Sequence, residues 1–555
     1  MKTKISFREQ LAGFPVWQTS VISMIRFSEP IAFTSLFPYM YFMVKDFGVA
    51  ETDEDISKYC GYISSAFAFF QFLCSVHWGH YADVIGRKPV LLIGLLGTGC
   101  SMLAFGFSSS FWMAFASRAF MGAINGNVAV IRTMLGEVAS DPRHTALALS
   151  LVPLLWQVGC IIGPLSGYLV NTDRASSSAT SIVVRDTWMH KSVSYLVPLA
   201  KRSAFHEFTE KYPYALSNIV VAYFIFSSLL IAILFLEETH ETLKYRRDYG
   251  LEIGDRIRRH FGYTVETRSW NRYTRVTEND IHFDTYELNS SASNVSESGS
   301  GTENQMGTKH QKHSDTSYPW RKLMTSKVFY ALLSNFIMAF HTIVADELFP
   351  VFCSSSIART DPSDPMSPLL SKFPHIVGGL GKDSKQVGNV LSITGLVGVI
   401  VVVFVYPYLD RKYDALTSYK ALLVPFSAIY ALIPFLVFTL TPNYPTTQTS
   451  MHAIYAISFA KTILGSLGFP QIFLLVHESA EPGYRAFING MALSFTSFAR
   501  FLAPTIWGTI MSFSQAHGIA WFTWWSLGAV AICGNYVTSF ISPIAVNLDE
   551  HDDID

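Results

Sequence analysis

The chain has 555 residues, of which 50% are hydrophobic and only 15% charged, and its formal net charge at pH 7 is −1. Soluble proteins carry about 25% charged residues, and nucleic-acid-binding domains are usually basic, so the composition argues against both classes. The six cysteines are scattered without a C-x-x-C pair, which gives no sign of a zinc site or of a disulfide framework.

Apolar runs of about twenty residues, the length needed to cross a bilayer, recur in two groups of six. The first residues, MKTKISFREQLAG, lack the compact apolar core of a signal peptide. We therefore expect an all-α integral membrane protein with about twelve transmembrane helices in two six-helix halves. The predicted spans lie near 17–44, 58–80, 89–109, 112–136, 145–170, 214–236, 325–352, 386–408, 419–440, 452–476, 485–512 and 519–545.

A long polar interruption separates the two groups. Its first part, 237–263, is highly charged, and we expect it to begin as a helical continuation of span six. Its Ser-rich part, 289–317, is low in apolar residues and is predicted to be disordered. Two alternatives stay open for this tract: it is regulated by phosphorylation, or it has no specific role. The glycosylation sequons at Asn289 and Asn294 would not be used if the loop is cytosolic. The predicted organisation is an N-terminus 1–16, a first half 17–238, a central loop 239–324, a second half 325–545 and an acidic tail 546–555.

Charge in the short loops indicates the orientation. The loop after span one is acidic, whereas the loops after spans two, eight and ten are basic. Because basic loops stay in the cytosol, both termini and the central loop are predicted to be cytosolic. The basic loop 171–213 does not fit, and it is placed outside only because the number of spans requires it. The basic residues of the three short loops are Arg87, Lys88, Arg411, Lys412 and Arg485.

Residues 24–38, MIRFSEPIAFTSLFP, place Arg26 and Glu29 inside an apolar run. A charge at the centre of a membrane helix costs roughly 2.5–3.5 kcal/mol on insertion scales, so two charges imply a use. At i, i+3 they share one face, and Pro30 weakens the backbone ladder beside them. We predict a kinked, substrate-facing first helix; the alternative is a soluble amphipathic helix.

The two halves repeat one another. Ser-Leu-Phe-Pro ending at Pro38 matches Glu-Leu-Phe-Pro ending at Pro350, and the same offset sets Glu29 opposite His341. Two parallel halves with a site between them are a known transporter plan. Further matches pair Asp83 with Asp410, Arg118 with Lys461 and Pro164 with Pro504.

After span two the chain reads GHYADVIGRK, which resembles the G-x-x-x-D-R-x-G-R-R signature of the major facilitator superfamily, with Val84 where Arg is usual. The resemblance covers nearly the whole chain and implies that fold. It also implies that the motif latches the two halves on the cytosolic side in the outward-open state. The motif residues here are Gly79, Asp83, Gly86, Arg87 and Lys88.

Spans four and five carry two more motifs of that family. The stretch from Arg118 to Asn125 resembles the helix-four motif of that family. The resemblance implies that Arg118 takes part in proton coupling. The alternative for Arg118 is a side chain that extends to the interface. Gly159-xxx-Gly163-Pro164-xx-Gly167 resembles the motif of proton-driven antiporters, and its alternative role is close helix packing.

A narrower likeness is to zinc-induced-facilitator and multidrug/proton antiporter members of fungi and plants. It rests on Arg26-xx-Glu29-Pro30, on HTIVADELFP at 341–350 and on FLEETHE at 235–241. This likeness implies a vacuolar or plasma membrane in a fungal-like cell.

Ionisable residues inside spans are candidates for function. His341, although it could be a packing residue, is included because the repeat sets it opposite Glu29. Trp156 and Gln157 offer an aromatic wall and an amide. The candidate substrate and proton-coupling residues are Arg26, Glu29, Arg118, Asn125, Trp156, Gln157, His341, Asp346, Glu347, Lys461 and Arg500.

We expect alternating access with proton exchange. Glu29 would take a proton from the acidic side, Arg26 or Arg118 would compete for its carboxylate, and substrate would displace the proton. The expected partners are the lipid bilayer, a small-molecule substrate and protons, with no nucleic acid and no cofactor, and we expect a monomer. An enzyme is not expected, since no H-E-x-x-H, G-x-S-x-G or Walker A motif occurs.

Two alternatives remain open from the sequence. A metal or metal chelate could be the cargo, since histidines occur at His77 and His80 and in the central loop at His310 and His313. A nutrient receptor that no longer transports is the alternative from another class.

Overall fold

The computed structural model describes residues 13–139, 144, 154–170, 207–240, 242–264, 324–361, 369–440, 448–480 and 485–541. Within these ranges the secondary structure is helical, and the β-contacts are isolated bridges such as Ile376 with Ile519. The Ser-rich tract with its sequons, most of the loop 171–213 and the tail 546–555 lie outside the described residues.

Among the described residues, the first half contains eight helices of seven residues or more. Span one is α1 followed by the short α2, and span four is the pair α5 and α6. The bounds are α1 Val16–Thr34, α2 Met40–Asp46, α3 Ile56–Ile85, α4 Arg87–Gly106, α5 Phe111–Ile124, α6 Asn127–Val138, α7 Leu154–Leu169 and α8 Ala215–Phe235.

One helix, α9 (Tyr249–His260), follows the first half, and six helices form the second half. Several change their winding: α11 passes through a π-helical turn at Val401–Val405, and α12 ends in a 3-10 stretch at Ile433–Thr439. The bounds are α10 Ser326–Ser354, α11 Ser384–Ile400 with its extension Tyr406–Lys412, α12 Ala415–Leu432, α13 Gln448–Ser479, α14 Arg485–Ala516 and α15 Trp521–Ser539.

Six helices of the described chain are long and apolar enough to cross a membrane: α4, α8, α10, α11, α12 and α13. The two parts of α3, Ile56–Cys74 and His77–Ile85, meet at a bend of 51° and make a seventh if they count as one span. A helix or a broken helix lies at each of the twelve predicted span positions. The predicted all-α membrane fold is confirmed.

Span four, predicted as one helix over 112–136, is broken. Asn125 leaves the helical region with φ −81° and ψ 83°, and α6 restarts at Asn127. Trp78 of α3 packs against Gly126 and donates its indole N–H to the Ala123 carbonyl at 2.7 Å. A break inside a membrane helix is tolerated where the freed backbone groups are re-satisfied or line a site, and this one turns the Asn125 side chain toward α1.

The charged segment after span six does not continue the helix, contrary to the sequence prediction. Leu236 is already extended (φ −79°, ψ 126°). The Glu238 carboxylate accepts hydrogen bonds from the backbone N–H groups of Arg87 and Lys88, both at 3.0 Å. These are among the donors that have no partner within the first turn of α4, so capping that helix draws the chain away from the axis of α8.

Two apolar clusters make up the core. The first lies wholly in the first half and includes Ile22, Leu91 and Met134. The second combines the second half with one end of the first half, so that Tyr39 belongs to the same cluster as Trp524. Among the described residues, the two halves therefore share a core at one end only. We call this the Asp53 end and the opposite one the Arg87 end.

Glycines bring the halves into backbone contact toward the Asp53 end. Gly61 of α3 lies against the Pro504 carbonyl of α14, and Gly388 of α11 lies against the Pro164 carbonyl of α7. A Cβ at either glycine would overlap that backbone. Such close crossings are typical of membrane helices, which gain contact by using small residues.

Candidate functional site

Arg26 and Glu29 form an ion pair within α1, with side-chain exposures of 6% and 10%. Asn125, at the break between α5 and α6, donates to Glu29 Oε1 at 3.2 Å. The pair therefore rests on two elements, the Pro30-containing helix and the broken span. Each charge of a pair that is so little exposed to water is stabilised mainly by the other. Loss of the charge on Glu29 would therefore leave Arg26 buried without its counterion.

Trp156 of α7 connects this pair to the second half. The Arg26 guanidinium carbon lies 5.7 Å from the centre of its ring, and that of Arg500 lies 5.4 Å from it. Arg500, on α14, also lies 5.6 Å from the ring centre of Phe33. Arginine over an aromatic face is an attractive contact, and more so where water is excluded. Residues from both halves thus meet at one tryptophan.

Arg118 and Glu347 form a second charged group across the halves. Arg118, 2% exposed, lies over the Phe67 ring at 4.8 Å, and Glu347 is 3% exposed. Each acts electrostatically on the other, and Arg500 acts on Glu347 as well. One atom of each, Arg118 Nε and Glu347 Oε2, is buried without a hydrogen-bond partner. The Arg118 side chain is therefore buried inside the protein and does not extend to the membrane–water interface.

Asp346 and Lys461 pair within the second half, at 2.5 Å between α10 and α13. The Asp346 side chain is 59% exposed and that of Lys461 12%. Gln157 crosses between the halves and donates to Ser466 at 3.2 Å. We call Arg26, Glu29, Arg118, Glu347 and Arg500 the central group. Asp346, Lys461 and Gln157 lie on helices that adjoin this group, and they hydrogen-bond to each other or to Ser466.

His341 is not brought to Glu29. Its Nδ1 lies 2.9 Å from the Tyr430 hydroxyl, its ring packs against Phe426, and its side chain is fully buried. The repeat pairs positions on helices, whereas the direction of a side chain depends on local packing. The ring here points to α12, inside the second half.

The signature after span two makes its contacts within the first half and with the segment just before α9. Arg87 pairs with Asp83 at 2.9 Å and with Glu137 at 3.1 Å. Gly86 has φ 105°, a conformation that favours glycine. Lys88 pairs with Asp248, just before α9, at 2.7 Å. A Cβ at Gly79 would meet no described atom within 4 Å, so no other described helix approaches the backbone closely at this glycine.

The glycines of α7 pack against α1 and α11. Gly159 faces Pro30 and Ile31, Gly163 faces Thr34, and Gly167 faces the Ser384 carbonyl. The stretch Gly163–Leu169, which contains Pro164, is a 3-10 helix. These residues hold Trp156 beside α1, and through Gly167 they reach the second half.

Arg132 is part of the central group although the sequence reasoning did not select it. It lies on α6, and the groups that act electrostatically on it are Arg26, Arg500 and Glu29. The signal was an arginine in the apolar run AVIRTML, two helical turns after Asn125. It was missed because the break in span four, which decides the direction of α6, was not predicted.

Among the described residues no group of three or more His, Cys, Asp or Glu could hold a metal ion. The His77 ring contacts the Leu73 carbonyl at 3.2 Å. His310 and His313 lie outside the described part of the chain.

Comparison with known proteins identifies the family. The model of the Major Facilitator Superfamily matches residues 22–504. The multidrug transporter mfsB of Aspergillus fumigatus is 32% identical over 95% of this chain and 83% of its own length. ZINC INDUCED FACILITATOR 1 of Arabidopsis thaliana is 25% identical over 98% of this chain and 92% of its own.

A solved structure shows the same fold. A bacterial homologue of the human lysosomal transporter Spinster, in an inward-facing and unoccupied conformation, has 10% sequence identity and a TM-score of 0.55, covering 95% of this chain and 97% of its own. Together with the family match, the helical fold and the spans, this leads to one conclusion. The chain belongs to the Major Facilitator Superfamily and is a multi-pass integral membrane transporter of small molecules.

Proposed function

We propose that the protein is a secondary active transporter driven by protons, with Glu29 as the group that carries the proton. The observation behind this is the nearly buried Arg26–Glu29 pair, which lies beside Arg500 of the other half. A proton on the Glu29 carboxylate would remove the negative charge that Arg26 pairs with. Protonation therefore breaks the pair.

Breaking the pair frees Arg26 and changes the charge between the halves. Trp156 touches Arg26 and Arg500, so a change at Glu29 acts on a contact that both halves share. In alternating access the halves rock around a site at their interface. The proton at Glu29 would therefore bias which end of the protein is closed, since it acts on the two conformations unequally.

The direction of coupling follows from the charge of the cargo. A cation would compete with the proton for Glu29, so it would be exchanged against protons. Exchange is also what the antiporter-like motif at Gly159–Gly167 implies by resemblance. The glycines lie against α1, Pro38 and Ser384 at the start of α11, so we assign helix packing to the motif and the coupling to the charges at the centre.

Purified protein in proteoliposomes tests the proposal. Glu29→Gln should abolish pH-driven transport while the protein stays folded and reaches the membrane, because the amide keeps the shape and cannot take up the proton. Glu51→Gln, in an exposed turn, is the matched control and should transport as wild type. Normal proton-driven transport by Glu29→Gln would refute the role of Glu29.

We further propose that the Arg87 end is cytosolic, with both termini on that side, in the vacuolar or plasma membrane. This rests on the basic residues in the loops at that end. Fluorescent-protein fusions at each terminus show in which membrane the protein resides. Quenching of their fluorescence by an external quencher, on intact cells and on isolated vacuoles, shows on which side of the membrane each terminus lies. A terminus exposed to the cell exterior would contradict this topology.

A further inference from the structure

Positive charge exceeds negative charge at the centre of the protein. Two glutamates, Glu29 and Glu347, face four arginines there, while Asp346 and Lys461 satisfy each other. With all groups ionised, this leaves two positive charges without an anion. The arginines are Arg26, Arg118, Arg132 and Arg500.

Only one of these arginines has its own ion pair within the described chain, and that is Arg26 with Glu29. Arg500 contacts the rings of Phe33 and Trp156, and Arg118 donates to the Met121 sulfur. The Nε atoms of Arg26 and Arg118 are buried without an acceptor. A buried donor without a partner is costly, and a buried charge without a counterion is more so.

Aromatic rings lie among the same guanidinium groups. Trp156 has Arg26 and Arg500 beside its ring, and Phe33 adds a second surface for Arg500. Phe33 and Trp156 contact each other, with their ring centres 5.5 Å apart. Both side chains are only partly buried, so they can contact a further flat group. Arginine binds carboxylate, sulfonate and phosphate groups through paired N–H donors.

We propose that the cargo is an organic anion with an aromatic or other flat apolar body, held by Arg500 and Trp156. Its acidic group lies against Arg500, with Arg132 as the next cation, and its body packs on Trp156 and Phe33. The proposal rests on the transport function proposed above and names the class of cargo for the same site.

An anionic cargo also determines the direction of coupling. The groups that face Glu29 are Arg26 on its own helix, Asn125, Arg132 and Arg500. An anion that takes up Arg500 or Arg26 removes positive charge from Glu29 and so favours its protonated form. Because linkage is reciprocal, the proton then favours the anion. Anion and proton therefore move in the same direction, in contrast to the exchange expected for a cation.

Binding to the purified full-length protein tests the charge preference without a proton gradient. The probes are naphthoate, naphthalenesulfonate and naphthyl phosphate, matched with the neutral naphthamide and the cation naphthylmethylammonium. At least one anion should bind at least about tenfold more tightly than the amide and the cation, which corresponds to about 1.4 kcal/mol. Tighter binding of the cation, or no saturable binding of any of the three anions, would overturn the proposal.

Variants locate the site. Arg500→Gln should weaken anion binding at least about tenfold, and Arg500→Lys should restore part of it, because lysine keeps the charge but loses the planar fork. Arg256→Gln, on the exposed face of α9, is the matched control and should bind as wild type. Unchanged anion binding by a folded Arg500→Gln protein would overturn the role of Arg500.

Uptake of the tightest-binding anion then separates the two proposals. An acidic exterior should drive the anion into proteoliposomes, and Glu29→Gln should remove this drive. If the anion is transported but pH has no effect, the proton-driven function fails and the cargo class stands. If pH drives only the cation, the function stands and the anion proposal fails.

Discussion

The two ends of the molecule are built differently. At the Asp53 end the halves bond to each other: Asp53 accepts from Lys45 of its own half at 2.9 Å and from Ser356 of the other at 2.7 Å. At the Arg87 end the charged groups are satisfied inside the first half, as Arg87 binds Asp83 and Glu137. Charged and polar side chains therefore join the two halves at the Asp53 end, whereas at the Arg87 end Arg87 forms its ion pairs within one half.

The position of the contacts between the halves agrees with this difference. The hydrogen bonds between described residues of the two halves lie between the centre, where Gln157 binds Ser466, and the Asp53 end. They include Thr505 to Ser65 at 2.6 Å and Ser512 to Asp55 at 2.9 Å. A rocking transporter needs one end to close with contacts that can be given up. Many single hydrogen bonds, each contributing about 1 kcal/mol, meet that need.

Locking the Asp53 end should have the largest effect. In a chain whose six native cysteines are replaced, Ser65→Cys with Thr505→Cys places two thiols where the hydroxyls now touch. Oxidation should cross-link the halves and reduce transport to background, and reduction should restore it. Each single cysteine variant is the control, and wild-type transport by the cross-linked protein would contradict alternating access at this interface.

Removing the cap of α4 should have a smaller effect, on stability. Glu238→Gln weakens the charge-assisted bonds to the Arg87 and Lys88 backbone and should cost on the order of 1 kcal/mol. The measurement is the thermal unfolding midpoint in detergent, which should fall below that of wild type and of Glu51→Gln. An unchanged midpoint would mean that Glu238 does not hold the Arg87 end together.

Asp53 should give the smallest effect and one that depends on pH. Burial opposes its ionisation, but hydrogen bonds from Lys45 and Ser356 outweigh burial and hold the pKa of Asp53 below its ordinary value. Its contribution to closure is therefore present above the ordinary pKa and is lost as pH falls through the lower pKa of the closed state. For so exposed a pair the contribution is at most about 1 kcal/mol.

Spin labels at Glu51→Cys and Leu370→Cys, one in each half at that end, measure this closure. In wild type the short-distance population should decline as the pH falls from about 5 to about 3. With Asp53→Asn it should be smaller at neutral pH and change less with pH. A larger short-distance population in the asparagine variant would contradict the contribution of Asp53.

The sequence predicted the helices and the family because both depend on repeated, local signals. Long apolar runs gave the spans, and the glycine and charge pattern around Arg87 gave the family. Arg26 and Glu29 were found by the same logic, since two charges in an apolar run are costly wherever the helix lies. Asn125 and Arg500 were also candidates because of their chemistry, and in the fold they lie close to this pair.

What the sequence could not give was the direction of side chains. His341 sits opposite Glu29 in the repeat but contacts Tyr430, because its rotamer follows its neighbours and not the repeat. Arg132 was missed since the break at Asn125 depends on Trp78 of another helix. The end of α8 was misjudged because Glu238 caps α4, a contact between residues far apart in the chain.

Counterflow and proton flux, measured on the same proteoliposomes, test the central claim most directly. With cargo on both sides and no pH gradient, Glu29→Gln should exchange labelled for unlabelled cargo at a rate near that of wild type. With a pH gradient imposed, the same variant should show no cargo-dependent proton movement on a pH-sensitive dye, whereas wild type and Glu51→Gln should. Cargo-dependent proton flux through Glu29→Gln at the wild-type rate would contradict the account.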